Sequence, residues 1–428
     1  LEKLTFYSEV NHPRFDYTLG VFFGQLLGIN TIRVQSPTEA HFNYSREPGG
    51  AIQMHPHGAM WNDHIEPVKV QMDNWNGFPA FFRTGNDLLP YDFLSAAFYL
   101  ISRYEEYLSH DPDVHGRFQA ESSILTQSGC LKLPVVHLWA RHVGALLTEK
   151  TRLQPQLPTY KMTTTLDIDQ LYKYRHKGLL RTLGGFVSDV FRWRKTKLKE
   201  RIKTLSSDSD PFYNFSNHLK WHRGIEDVLY FFLMADHGKF DKNISHGHPQ
   251  MVKTIQELEQ QDAVRIGIHP GYQSNFQTEK IAIEKERLDQ LLTHPTRLSR
   301  QHFLMMELPD TYERLEQLGI REDYSLGYST HLGFRAGIGI PYRWFNLRTN
   351  QTSTLRINPF CYMDITPLHY LQWSPEQTMK FLKSWTDDLR QLGVHFQWLW
   401  HNESLSNSER WQGWLPVYHY GLDLHRKG

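Results

Sequence analysis

Between residues 161 and 401, five apolar runs of strand character each close on residues that can bind a metal or carry a proton. They are KMTTTLDID (Lys161–Asp169), LYFFLMADH (Leu229–His237), RIGIH (Arg265–His269), RQHFLMM (Arg300–Met306) and HFQWLWH (His395–His401). Stretches of helical periodicity separate them, and that alternation implies parallel strands joined by crossover helices. Thr278–His294 carries apolar residues at helical spacing. Pro375–Leu392 follows Ser374, which suits an N-cap, and stops at Gly393, a C-terminal breaker. In a β/α barrel the reactive groups gather where strands hand over to loops. Endings of this kind on several strands predict one site at one rim.

The pattern ahead of residue 155 is different and predicts a smaller mixed α/β domain. In YDFLSAAFYLISRYEEYL (Tyr91–Leu108), Phe93, Leu94, Ala97, Leu100, Ile101 and Tyr104 recur at helical spacing, with Asp92 as the cap. Arg46–Gly50 and His55–Gly58 are loops, and His55 and His57 are read as surface residues. The segment 151–159 (TRLQPQLPT) holds two prolines and little pattern, so it is the linker. A length of 428 residues fits two domains, placed at 1–155 and 156–428.

Lys and Arg total 47 against 46 Asp and Glu, a balance that argues against a dedicated nucleic-acid binder. Aromatic residues make up 14%, which suits both a large core and stacking on sugar rings. Two cysteines form neither a metal motif nor a disulfide framework. The opening LEKLTFYSEV does not read as a signal peptide. A cytoplasmic location is the expectation. One local exception to the charge balance is Phe191–Lys203 (FRWRKTKLKERIK), read as a basic helix. It is either a solvated face or a peripheral contact to an anionic membrane surface or polymer.

Alternation decides which side chains share a face. In the first run Thr163, Thr165, Asp167 and Asp169 fall together. Two carboxylates so placed can hold one cation, or divide the work of base and ligand. His269 closes its run before a Pro-Gly turn, and imidazole is a common zinc ligand. Arg300 and His302 share a face. The first can brace a carboxylate, the second can complete a metal set. His401, last in its run, suits a general acid for a departing amine, whereas His395 lies deeper and is read as structural. Asp236, His237, Asp241 and Asp364 are weaker candidates. Arg335 lies in a Gly-rich loop (GFRAGIGI) where backbone can approach a ligand. The chain has no P-loop, no dinucleotide fingerprint, no nucleophile elbow and no H-E-x-x-H.

The order TLDID, HPGYQSN, RQHFL, DYSLGY, WLWHN resembles the polysaccharide deacetylases with a NodB-type domain, carbohydrate esterase family 4, over the last two thirds of the chain. The leading part, with YDFLSAAFYLISRYEEY and HGRF, is similar to an uncharacterised domain that precedes divergent deacetylase domains in some bacterial proteins. The resemblance implies an irregular (β/α)7-like barrel of NodB type, preceded by the smaller α/β domain. It implies a divalent metal, zinc first, held by Asp169 and His269. It also implies Asp167 as base, Arg300 as its brace and His401 as acid. The family's T-F-D-D is T-L-D-I-D here, and the second histidine of its H-x-x-x-H is replaced by Gln273, so His302 is chosen as the further ligand. Tyr272, Ser274, Asn275 and Arg335 are the expected substrate contacts, with amides near Tyr272 steadying an oxyanion. The implied activity is removal of N-acetyl or O-acetyl groups from a bacterial surface polysaccharide or its amino-sugar precursor. The alternatives are a non-catalytic glycan-binding protein on a retired barrel, and an amidase for small molecules.

Overall fold

The computed structural model describes residues 3–427. Its first part holds a parallel sheet of β1 (Lys3–Ser8), β2 (Asn30–Arg33), β3 (Phe42–Tyr44) and β4 (Ile52–Gln53) in the order β2-β1-β3-β4. A hairpin of β5 (Asp73–Trp75) and β6 (Phe78–Ala80) follows. The helix Phe93–Ile101 packs on the helix Pro13–Leu19, and the helix Val135–Thr151 packs on β4 and β6. Asp92 caps the first by accepting from the Ser95 amide at 2.9 Å. That helix is shorter than its periodicity predicts. Arg103 turns left-handed (φ 56°) and a 3-10 turn, Tyr104–Tyr107, takes over.

The second part is a nine-stranded sheet. In chain order its members are β7 (Lys161–Ile168), β8 (Val228–Leu233), β9 (Val264–His269), β10 (Leu298–Ser299), β11 (Glu322–Asp323), β12 (Tyr342–Asn346), β13 (Gln351–Ile357), β14 (Tyr362–Met363) and β15 (His395–His401). They lie in the order β12-β13-β11-β10-β9-β8-β7-β15-β14, every neighbour parallel except β12 against β13. The apolar run VLYFFL is buried at every position, as expected of a strand covered on both faces. Arg300, just past β10, reaches the Thr165 hydroxyl of β7 at 2.7 Å. Those strands stand three places apart, roughly 14 Å in a flat sheet, so the sheet curls round its interior. Gly267 of β9 makes room inside: a Cβ there would sit 2.5 Å from the Phe231 ring.

Three expected elements differ. RQHFLMM is no strand: the ladder stops at Ser299, and His302–Leu304 is a turn with Phe303 and Leu304 left-handed. Its neighbour β9 runs into Pro270, which has no N–H to extend pairing. The helix over 278–294 ends at Asp289. The basic segment 191–203 is not one helix. Trp193 (φ 50°) breaks it between Leu179–Phe191 and Lys195–Leu205. By contrast the helix Pro375–Gln391 carries a full capping box of Ser374 and Gln377.

One apolar core runs through both parts. A buried charge set joins them as well. Glu106 accepts from Arg335 at both carboxylate oxygens (2.8 Å each) and from Arg103 Nε at 2.7 Å. Arg103 also donates to Glu105 and to the Arg335 carbonyl. Arg335 is therefore a structural cation and not a substrate contact, because its nitrogens are spent on Glu106 and the Gly327 carbonyl. Burial pushes the Glu106 carboxyl up, but Arg335 and Arg103 outweigh it and hold it at about 2. A depressed acid stabilises the fold above its ordinary 4.5 and loses that contribution as pH falls through 2. The linkage is worth on the order of 3 kcal/mol. Glu106→Gln is expected to cost roughly 3–5 kcal/mol in denaturant unfolding at neutral pH, and to flatten the loss of stability below pH 4.5 seen in the parent chain.

Candidate metal centre

The ends of β7 and β9 and the turn after β10 bring Asp169, His269 and His302 together, with ligand atoms all within 4.8 Å of one another. His269 Nε2 lies 3.2 Å from Asp169 Oδ1, and His302 Nε2 lies 3.5 Å from Asp169 Oδ2. Each imidazole is tethered through its other nitrogen. His269 Nδ1 donates to the Arg300 carbonyl at 2.6 Å, and His302 Nδ1 donates to Asp241 at 2.9 Å. With Nδ1–H committed, both Nε2 atoms present themselves to the carboxylate. Asp169 Oδ1 is buried and has no hydrogen-bond partner. Zinc ligands with bonds of about 2.0–2.1 Å meeting tetrahedrally stand roughly 3.3 Å apart. The donor set and its spacing fit a divalent ion, and the tethers are of the kind that orient metal-bound histidines.

The electrostatics follow from the same crowding. Burial pushes the Asp169 carboxyl up, but His302, His269 and His401 outweigh it and hold it well below the usual range. Burial disfavours a charged His302, yet Asp169 and Asp241 lift it to about 9.

Two further groups flank the triad. Asp167 Oδ1 accepts from Arg300 Nη1 at 3.0 Å, while Oδ2 stands 3.8 Å from His269 Nε2. Arg300 is fully buried, held by the Tyr324 carbonyl and lying over the Phe231 ring, 4.7 Å to its centre. His401 closes β15 beside Asp167 in register and points Nε2 to within 4.0 Å of Asp169. Its Nδ1 faces Asp364 at 3.0 Å. Asp364 is itself fixed by the Ile365 and His401 amides and by the Ser404 hydroxyl. Burial opposes an imidazolium at His401, but Asp364 first, then Asp169 and Asp167, raise it to about 10.

These groups open into a cleft of about 280 Å³. Its rim includes Phe303, Tyr370, Arg410 and Trp411, and the first part of the chain adds His115 and Arg117. Arg117 donates to Asp113 and to the Phe303 carbonyl at 2.8 Å, and so ties the two parts together at the rim. A larger cavity of about 600 Å³ lies at the opposite strand ends, where Arg265 is paired with Asp227 and Glu322.

The expected substrate contacts are less well placed. Ser274 is fully buried and donates its hydroxyl to Glu284 at 2.7 Å. Its position is structural, and that expectation is corrected. Tyr272 gives its amide to Asp241 and its hydroxyl to His115, so that amide is not open to an oxyanion. Asn275 donates to the carbonyls of Gly271 and Tyr272. Gln273 meets Lys280 and lies in a separate recess from the cleft. The acids that orient the histidines, Asp241 and Asp364, are visible in the sequence only as acids after apolar runs. His115 and Arg117 carry no signal beyond the string HGRF.

Residues 4–152 match a family of unknown function, DUF7033. No curated protein matches the chain. Among solved structures it is similar to a proposed polysaccharide deacetylase from Mycobacterium smegmatis, at 11% identity over 64% of this chain and 86% of that one, TM-score 0.40. It is also similar to the Puue allantoinase, at 13% identity over 63% and 85%, TM-score 0.39. Overlaps this loose say nothing of side-chain chemistry, which the geometry itself has to supply.

Titration calorimetry with zinc is expected to give one site per chain. His302→Ala removes it, and Asp241→Asn weakens it by about 10–100-fold. Binding needs His302 Nε2 free of its proton, so affinity rises with pH until about 9 and the ion displaces protons at neutral pH.

Proposed function

We propose that the chain is a metal-dependent hydrolase that removes an acetyl group from the nitrogen, or oxygen, of a sugar in a bacterial surface polysaccharide or its precursor. The observation that carries this reading is that Asp167 and His401, register partners at the ends of β7 and β15, both stand beside the Asp169, His269, His302 triad. One carboxylate is held by a buried arginine and one imidazole by a buried aspartate.

A divalent ion, when bound, supplies Lewis acidity to the acyl oxygen and to the attacking water. Asp167 is the proton acceptor. Arg300 donates to its Oδ1, and its Oδ2 lies beside the ligand set, 3.8 Å from His269 Nε2, in the lining of the cleft. Water adds to the carbonyl carbon as its proton passes to Asp167. His401 is raised to about 10 and enters the reaction as the imidazolium. It gives its Nε2 proton to the leaving nitrogen as the C–N bond breaks, so the products are an amine and a carboxylate. Asp364 holds the ring and balances its charge. Phe303 and the exposed Tyr370 offer flat apolar surface to a sugar ring at the mouth.

The retired-barrel alternative draws on Gln273, which stands where the second histidine is expected. His302 supplies an imidazole from the turn after β10 and answers that loss. Asp167→Asn is expected to lower kcat for acetate release from N-acetylated sugars by on the order of 10²–10⁴-fold, with zinc stoichiometry unchanged. Full turnover in that variant contradicts the assignment. A parent chain that binds zinc yet releases no acetate from sugars, but does release acid from small amides, moves the substrate away from glycans.

A further inference from the structure

The insert that leaves the barrel after Asp169 carries its amphipathicity inside out. In the helix Leu179–Phe191 an ordinary surface helix would bury the apolar stripe. Here the stripe faces solvent: Leu179 is 83% exposed, Leu180 88% and Phe191 79%, with Leu183, Val187 and Val190 beside them. The polar side faces inward. Asp189 is buried against Arg201 at 2.8 Å, and Arg181 donates to the carbonyls of Lys242 and Asn243. The left-handed turn at Trp193 sets that indole, 81% exposed, at the tip of the hairpin. Arg192, Arg194 and Lys195 at the turn, and Lys199 and Lys203 along the second helix, are exposed, with no acidic partner within 4 Å among the described residues.

We propose that this helical hairpin, residues 179–205, docks the protein on an anionic phospholipid surface. An apolar stripe, a tryptophan at the edge and unpaired cations beside it match the two attractions such a surface offers. The helix lies in the interface and does not cross it. Its 13 residues span roughly 20 Å against about 30 Å of hydrocarbon, and no helix among the described residues is long and apolar enough to cross a membrane. The second helix of the hairpin is tied to the cleft rim near its start, by Lys197, and the chain just ahead of the hairpin is tied there by Lys173. Lys173 and Lys197 both pair with Glu409, whose neighbours Arg410 and Trp411 line the rim. Docking therefore brings the lipid surface near the cleft rim. The placement holds whatever the cleft catalyses.

The test is co-sedimentation of the full chain with phosphatidylcholine vesicles and with vesicles that also hold phosphatidylglycerol. Binding to the anionic vesicles is expected, at least about tenfold tighter than to neutral ones and weakened by salt. Leu180→Asp with Phe191→Asp abolishes it, while zinc binding and circular dichroism stay as in the parent. Quenching of tryptophan fluorescence by brominated lipid is expected in the parent and is reduced in Trp193→Phe. Failure to bind either vesicle, or equal binding by the double variant, overturns the proposal. So does a dimer in sedimentation velocity without lipid that the double variant disperses, since a second copy then covers the stripe.

Discussion

A carboxylate and two imidazole nitrogens crowded into buried ground are the constraint on which this molecule turns. Asp169 is partly exposed, but its Oδ1 is buried and has no hydrogen-bond partner. The nearest groups are two ring nitrogens whose far sides are fixed by the Arg300 carbonyl and Asp241. Such a pocket has two ways to balance itself. It protonates His302, which is lifted to about 9, or it takes a cation. The second route leaves every tether in place and satisfies the orphaned oxygen.

Everything near the triad serves to hold it or to use it. The curl of the sheet lets Arg300 reach across to β7, where it pins Asp167 and supports Thr165. The carbonyl of the same residue fixes His269, so one buried arginine position links Asp167 and His269. Beside Asp167, at the end of β15, Asp364 orients His401. The first part of the chain is not a bystander. Its Arg103 and Glu106 lock onto Arg335 in the barrel, and its His115 and Arg117 close one side of the cleft.

Much of the scaffold is legible in the sequence because it follows from periodicity. The alternation in KMTTTLDID and HFQWLWH sets faces that the register of β7 and β15 reproduces residue for residue. Capping chemistry gives the helix Pro375–Gln391. What escapes is long-range. Arg335 and Ser274 read as ligand contacts, but their partners Glu106 and Glu284 are apart in sequence, and pairing makes both structural. The turn at His302 is hidden because a proline on the neighbouring strand, not anything in RQHFLMM, ends the ladder. The hairpin after β7 shows the sharpest limit. A hydrophobic stripe in a sequence tells that one face is apolar, not that this face is turned outward.

The most direct test of the metal centre is X-ray absorption on the zinc-loaded full chain. The account predicts a first shell of nitrogen and oxygen at about 2.0–2.1 Å, with the outer-shell scattering of two imidazoles, and one imidazole fewer in His302→Ala. A shell without imidazole scattering, or a spectrum unchanged by that substitution, would contradict it.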